Sequence, residues 1–151
     1  MKTRVTTILL VTAIVAAAPL LAASKSATLS VSVEVVARTI MTVDSQPTAV
    51  EVTSNDLARG YVDVPQAVAF HVRSNAANGY TVQFQPVTGP FSRADVNWGN
   101  AQATVGADGA WLSAPYRQGT SAGTFNVRLT LAPGTQPGSY AWPVRFDAGS
   151  L

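Results

Sequence analysis

Apolar side chains recur at every second position along most of this chain, the period of a β-strand whose two faces meet different surroundings. Residues 28–36 read Thr-Leu-Ser-Val-Ser-Val-Glu-Val-Val, with Leu29, Val31, Val33 and Val35 on one face and Ser30, Ser32 and Glu34 on the other. Short strands are expected at 39–43 and 48–53, on either side of Asp44-Ser45-Gln46-Pro47. Asn55-Asp56 starts a turn, and Gly60 and Pro65 bracket another strand at 61–64. Residues 67–73 place Val68, Phe70 and Val72 inward, and 80–87 do the same with Tyr80, Val82 and Phe84. The intervening 74–79 ends in Asn78-Gly79, a pair suited to positive φ, so a hairpin is expected there. The middle, 88–122, is irregular, with strands near 94–98, 101–105 and 110–113 and a polar loop at 117–123.

Two further strands close the chain. Residues 124–131 turn Phe125, Val127, Leu129 and Leu131 inward. After the turn at 133–138, residues 139–148 turn Tyr140, Trp142, Val144 and Phe146 inward and Ala141, Pro143, Arg145 and Asp147 outward. Pro143 has no N–H to give a ladder, which predicts a sheet edge or a bulge. No stretch after the N-terminal segment carries a helical period. About eight short half-buried strands predict an all-β domain, a two-sheet β-sandwich first and a barrel second.

The N-terminus bears on the compartment. Lys2 and Arg4 precede an uncharged run from Val5 to Leu21, followed by Ala22, Ala23 and Ser24. A charged start, a short apolar run and a small-residue exit predict a signal peptide over 1–23, and export to the periplasm or cell surface. The run of 17 residues is shorter than the roughly 20 a spanning helix uses, so no membrane span is expected after cleavage. Without Lys2 and Arg4, the ten basic residues become eight, against eight acidic ones. A balanced chain with no basic stretch argues against nucleic acid as a partner. Residues 24–151 suit one domain, and with no cysteine the core must hold without disulfides.

Catalytic chemistry is not legible. His71, the one histidine, lies on an outward strand face, and no cysteine nucleophile exists. Metal sites need several ligands close together, and the eight carboxylates are scattered, with Asp56, Asp95 and Asp108 read as turn formers. These features argue against an enzyme and imply no cofactor or metal. Trp98, Trp111 and Tyr116 form a candidate platform for sugar rings in the irregular middle; the simpler expectation has both tryptophans capping the core.

Gly138 is the fourteenth residue from the end, and alternating apolar residues follow it: Tyr140, Trp142, Val144 and Phe146. At the other end, the Ser/Val-rich strand directly follows the predicted cleavage site. This arrangement resembles subunits of chaperone–usher pili, across roughly 28–151. It lacks the disulfide common in that family and has Ser150 where many members carry an aromatic residue. The resemblance implies an immunoglobulin-like sandwich over 38–151 that lacks its last strand, and an N-terminal donor strand over 24–37 with Leu29, Val31, Val33 and Val35 as its knobs. It also implies a periplasmic chaperone, an usher and other copies or related subunits as partners, and a structural role in a fimbria. The other expectation is a secreted or periplasmic β-sandwich that binds carbohydrate or a cell-surface protein.

Overall fold

The computed structural model describes residues 29–151; the predicted signal peptide lies outside them. The described residues form ten strands and one helix: β1 Thr39–Ser45, β2 Ala49–Val52, α1 Ser54–Arg59, β3 Tyr61–Ser74, β4 Tyr80–Phe84, β5 Phe91–Trp98, β6 Ala101–Val105, β7 Ala110–Ala114, β8 Thr120–Leu131, β9 Gly138–Ala141 and β10 Phe146–Ser150. A five-stranded sheet runs β1-β3-β8-β5-β6, a three-stranded sheet β10-β4-β7, and a small sheet pairs β2 with β9. All pairings are antiparallel. The all-β expectation holds.

Alternation produced the core. Val68, Phe70 and Val72 of β3, Val82 and Phe84 of β4, and Phe125, Val127 and Leu129 of β8 are buried in one cluster. Phe125 joins the two larger sheets: its ring lies 4.4 Å from Phe70 in its own sheet, and 5.5 Å from Phe84 and 5.3 Å from Phe146 in the other. Tilted and edge-on rings at such spacings add to the area term of burial.

Several expectations need correction. The connection from β3 to β4 is not a hairpin, because the two strands belong to different sheets. Its local turn is present: Gly79 has φ +93 and its N–H donates to the Ala76 carbonyl. A Cβ on Gly79 would stand 2.3 Å from the Ala114 oxygen, so glycine is needed where the chain crosses beside β7. Each strand has a fully apolar inner face, and such faces are satisfied across a core as well as side by side. The strands expected at 61–64 and 67–73 are one strand, β3, whose register against β8 shifts between Val64 and Val68. Pro65 sits in this bulge, beside Gln66 at φ +49, whose N–H donates to Asn126 Oδ1 at 2.8 Å.

The strand expected at 139–148 is two strands. β9 pairs with β2 and β10 with β4, and residues 142–145 carry the chain between sheets. Pro143 is buried in that crossing rather than outward. Finally, a helix exists. Thr53 caps α1: its Oγ1 accepts from the Asp56 N–H, while Asp56 accepts from the Thr53 N–H at 2.9 Å, a reciprocal capping box. Gly60 ends the helix in the left-handed conformation, with φ +80.

Residues 35–151 form one compact unit, and residues 29–34 belong to another. Residues 29–38 carry no strand, contrary to the reading of 28–36 as a formed strand. Period-two patterning makes a strand only where an edge is offered to it. No helix among the described residues is long and apolar enough to cross a membrane.

Candidate functional site

β10 has a ladder on one side only, since it is the edge of the β10-β4-β7 sheet. Gln85 N–H donates to the Arg145 carbonyl at 2.9 Å, and Leu151 N–H to the Gly79 carbonyl at 3.1 Å. Hydrogen-bonded and non-bonded pairs alternate along an antiparallel ladder. With Phe146 opposite Phe84 and Ser150 opposite Tyr80, the N–H and C=O groups of Phe146, Ala148 and Ser150 therefore point away from β4. That edge offers the main-chain groups an added strand would need. One is already engaged, because Ala148 N–H donates to Asp147 Oδ1 at 2.8 Å.

β1 is likewise an edge. Asn75 N–H donates to the Arg38 carbonyl at 3.1 Å, so by the same parity Thr39, Met41 and Val43 turn their main-chain groups away from β3. The two edges run antiparallel, in contact at one end and parted at the other. At one end Thr39 Oγ1 and Ser150 Oγ lie 3.1 Å apart. At the other, Val43, Pro47, Trp142, Val144 and Phe146 line a space of about 500 Å³.

Side chains on these edges face the core without being covered by it. Met41 and Val43 stand opposite Val72 and Phe70, both buried, yet Val43 is 39% exposed. Phe146 packs 5.9 Å from Phe84 but stays only partly buried, as does Ala148. Trp142 Nε1 is buried with no acceptor within hydrogen-bond distance among the described residues. At the foot of β1, Asn75 Nδ2 donates to the Val36 carbonyl at 3.1 Å and its Oδ1 accepts from Arg38 N–H, anchoring the chain that leads into the strand.

Leu29, Val31, Val33 and Val35 are exposed, Leu29 at 86%. Of the residues assigned to a C-terminal assembly strand, Gly138 and Tyr140 lie in β9 against β2, Trp142 and Val144 lie in the crossing, and only Phe146 lies on the open edge. Tyr140 donates its hydroxyl to the Gln136 carbonyl at 2.8 Å and packs edge-on to Phe91. Sequence reasoning missed Met41, Val43 and Ala148. Their signal was the alternation of 39–43 and the continuation of the final strand beyond Phe146.

The aromatic candidates separate. Trp98 packs against Phe70, Tyr80 and Phe125 as a core residue. Trp111 is 68% exposed on β7, contrary to its expected place over the core, and Tyr116 is also exposed. Trp98 lines a different hollow with Tyr80, Asn100 and Arg117, where burial raises the Tyr80 hydroxyl above its ordinary pKa. His71 is partly exposed, with Nδ1 2.8 Å from Asp44 Oδ1. Asp56 is buried rather than a surface turn former. Its carboxyl lies below the usual carboxylate range, first through the Thr53 hydroxyl and N–H and then through Arg59. Among the described residues no three His, Asp or Glu side chains gather as a metal site. Comparison with protein families, curated proteins and solved structures finds no match.

Proposed function

We propose that the chain is an exported structural subunit of a fimbria- or pilus-like surface fibre, assembled when the alternating segment 28–36 of one copy adds as a strand to the β1–β10 cleft of another. The observation that carries this reading is the open edge of β10 beside an uncovered core. In it, the five-stranded sheet and the β10-β4-β7 sheet are the two layers of an immunoglobulin-like sandwich whose last strand comes from outside. The exposed 29–35 alternation supports the same reading from the donor side.

The energetics are of the right size. Four aliphatic side chains at ~1.5–3 kcal/mol each offer ~6–12 kcal/mol before ordering costs. That rivals the stability of a whole domain, so a donated strand holds a fibre together without covalent links. Before donation, the bare edge is an aggregation hazard, which is the need a periplasmic chaperone and an usher would meet by covering and handing on the subunit. Strand addition takes affinity from main-chain bonds and specificity from alternate side chains.

Deleting residues 24–36 tests the reading. The truncated domain is expected to fold, with a cooperative melt, and to form no heat-sensitive ladder on a denaturing gel, whereas the parent chain ladders. A ladder unchanged by the deletion contradicts the proposal.

A further inference from the structure

Given that reading, the remaining question is which residues of the incoming strand lie opposite which residues of β10. We infer that Glu34 of the donor copy seats opposite Arg145 of the acceptor, in an antiparallel register that only a second copy can reach.

The register follows from pattern and charge. The outward face of β10 and its approach carries Arg145, Asp147 and Gly149, and the outward face of the donor carries Ser30, Ser32 and Glu34. Running antiparallel with Glu34 against Arg145 sets Ser32 against Asp147 and Ser30 against Gly149. It also lays Val33 and Val31 over the core side at Phe146 and Ala148, and brings Leu29 to Ser150 in place of the Thr39 hydroxyl that now sits there. A slip of one residue turns every valine to solvent. A slip of two sets Glu34 against Asp147, a like-charge pair, or against Pro143, which is buried off the edge. A parallel strand that covers Phe146 to Ser150 with its apolar residues carries Glu34 away from Arg145.

The pairs on the solvent face fall at the close positions of the ladder. Phe146, Ala148 and Ser150 supply the outward main-chain groups, so Arg145/Glu34 and Asp147/Ser32 are non-bonded pairs, where opposing side chains approach most closely. Arg145 is exposed, and among the described residues no carboxylate lies within ion-pair distance of it. The Ser32 hydroxyl can donate to the Asp147 carboxylate, freeing the Ala148 N–H that Asp147 now holds for the incoming main chain.

The donor cannot be the same chain. Asn75 holds Val36 beyond the Thr39–Ser74 pair, at the Ser150 end of the cleft. Arg145 is five residues down the strand from Ser150, about 17 Å away. Glu34 is two residues from Val36, a reach of about 7 Å, so seating it opposite Arg145 in the ladder requires a second molecule.

Charge reversal tests the register in the mature chain, with heat-sensitive laddering as the readout. Both side chains are exposed, and equal melts for all variants establish that folding is unchanged. Glu34→Arg and Arg145→Glu alone are each expected to lower assembly about threefold to tenfold, and the double reversal to return it to within about twofold of the parent. Single reversals that assemble like the parent, or a double reversal no better than either single, overturn the register while leaving strand donation standing. A parent chain that forms no ladder overturns the fibre reading and this inference together.

Discussion

β8 and β10 have similar sequence patterns and opposite situations. Both alternate, and both turn a phenylalanine toward the same aromatic cluster. β8 is paired along both edges, by β3 and β5, and Phe125 is fully buried. β10 is paired along one edge only, and Phe146 stays partly exposed. Alternation therefore states which face of a strand is apolar, but not how many of its edges are occupied. The same contrast separates the centre of the five-stranded sheet from β1, where Val43 faces the core and remains accessible.

Truncating the two phenylalanines sharpens this contrast most. Phe125→Ala is expected to cost about 3–5 kcal/mol, the usual loss for a buried aromatic residue. Phe146→Ala in the isolated chain should cost about 1–2 kcal/mol, because less of its area leaves water. Chemical denaturation of both variants measures the difference, and equal losses would mean that β10 is as enclosed as β8. Under the proposed strand addition, assembly should reverse the order of importance among folded variants, since the added strand would lie over Phe146.

A smaller effect lies at the start of α1. Thr53→Ala removes the cap of α1 and is expected to cost about 1 kcal/mol at neutral pH. Asp56 has its pKa lowered from 3.8 by the same contacts. A depressed carboxyl contributes stability that is full above its unfolded value and fades as pH falls through its folded value. The difference between parent and variant should therefore be constant above about pH 5 and shrink below about pH 4. A difference that persists unchanged at pH 2 would contradict the role given to Asp56.

The apolar faces were legible because each strand carries its own period. Phe70, Phe84, Phe125 and Leu129 all lie where alternation places them. Partners were not legible, because partnership is a property of two segments. Asn78-Gly79 reads the same whether the chain doubles back within a sheet or crosses to another, and the difference lies in the nonlocal packing of Phe84 against Phe125. Likewise the Tyr140-Trp142-Val144-Phe146 alternation hides a change of sheet at Pro143. The helix escaped because six residues are too few for a helical period to show. Its signal was the capping box between Thr53 and Asp56, with aspartate where glutamate or glutamine is usual. For the candidate site, the exposed alternation of 29–35 and the place of Phe146 could be read from the chain. The second wall, β1, could not, since it becomes part of the cleft only through its placement beside β10.

A cysteine pair tests the central claim most directly, and a chain with no cysteine of its own gives a clean background. Ser32→Cys and Asp147→Cys in one chain of residues 24–151 should join neighbouring copies under mild oxidation, giving a ladder that survives heat and collapses with reductant. Moving the first cysteine to position 30 should abolish most of the crosslinking. Material that stays monomeric on a non-reducing gel, or that closes the bond within one chain, would contradict an edge built to take its strand from another molecule.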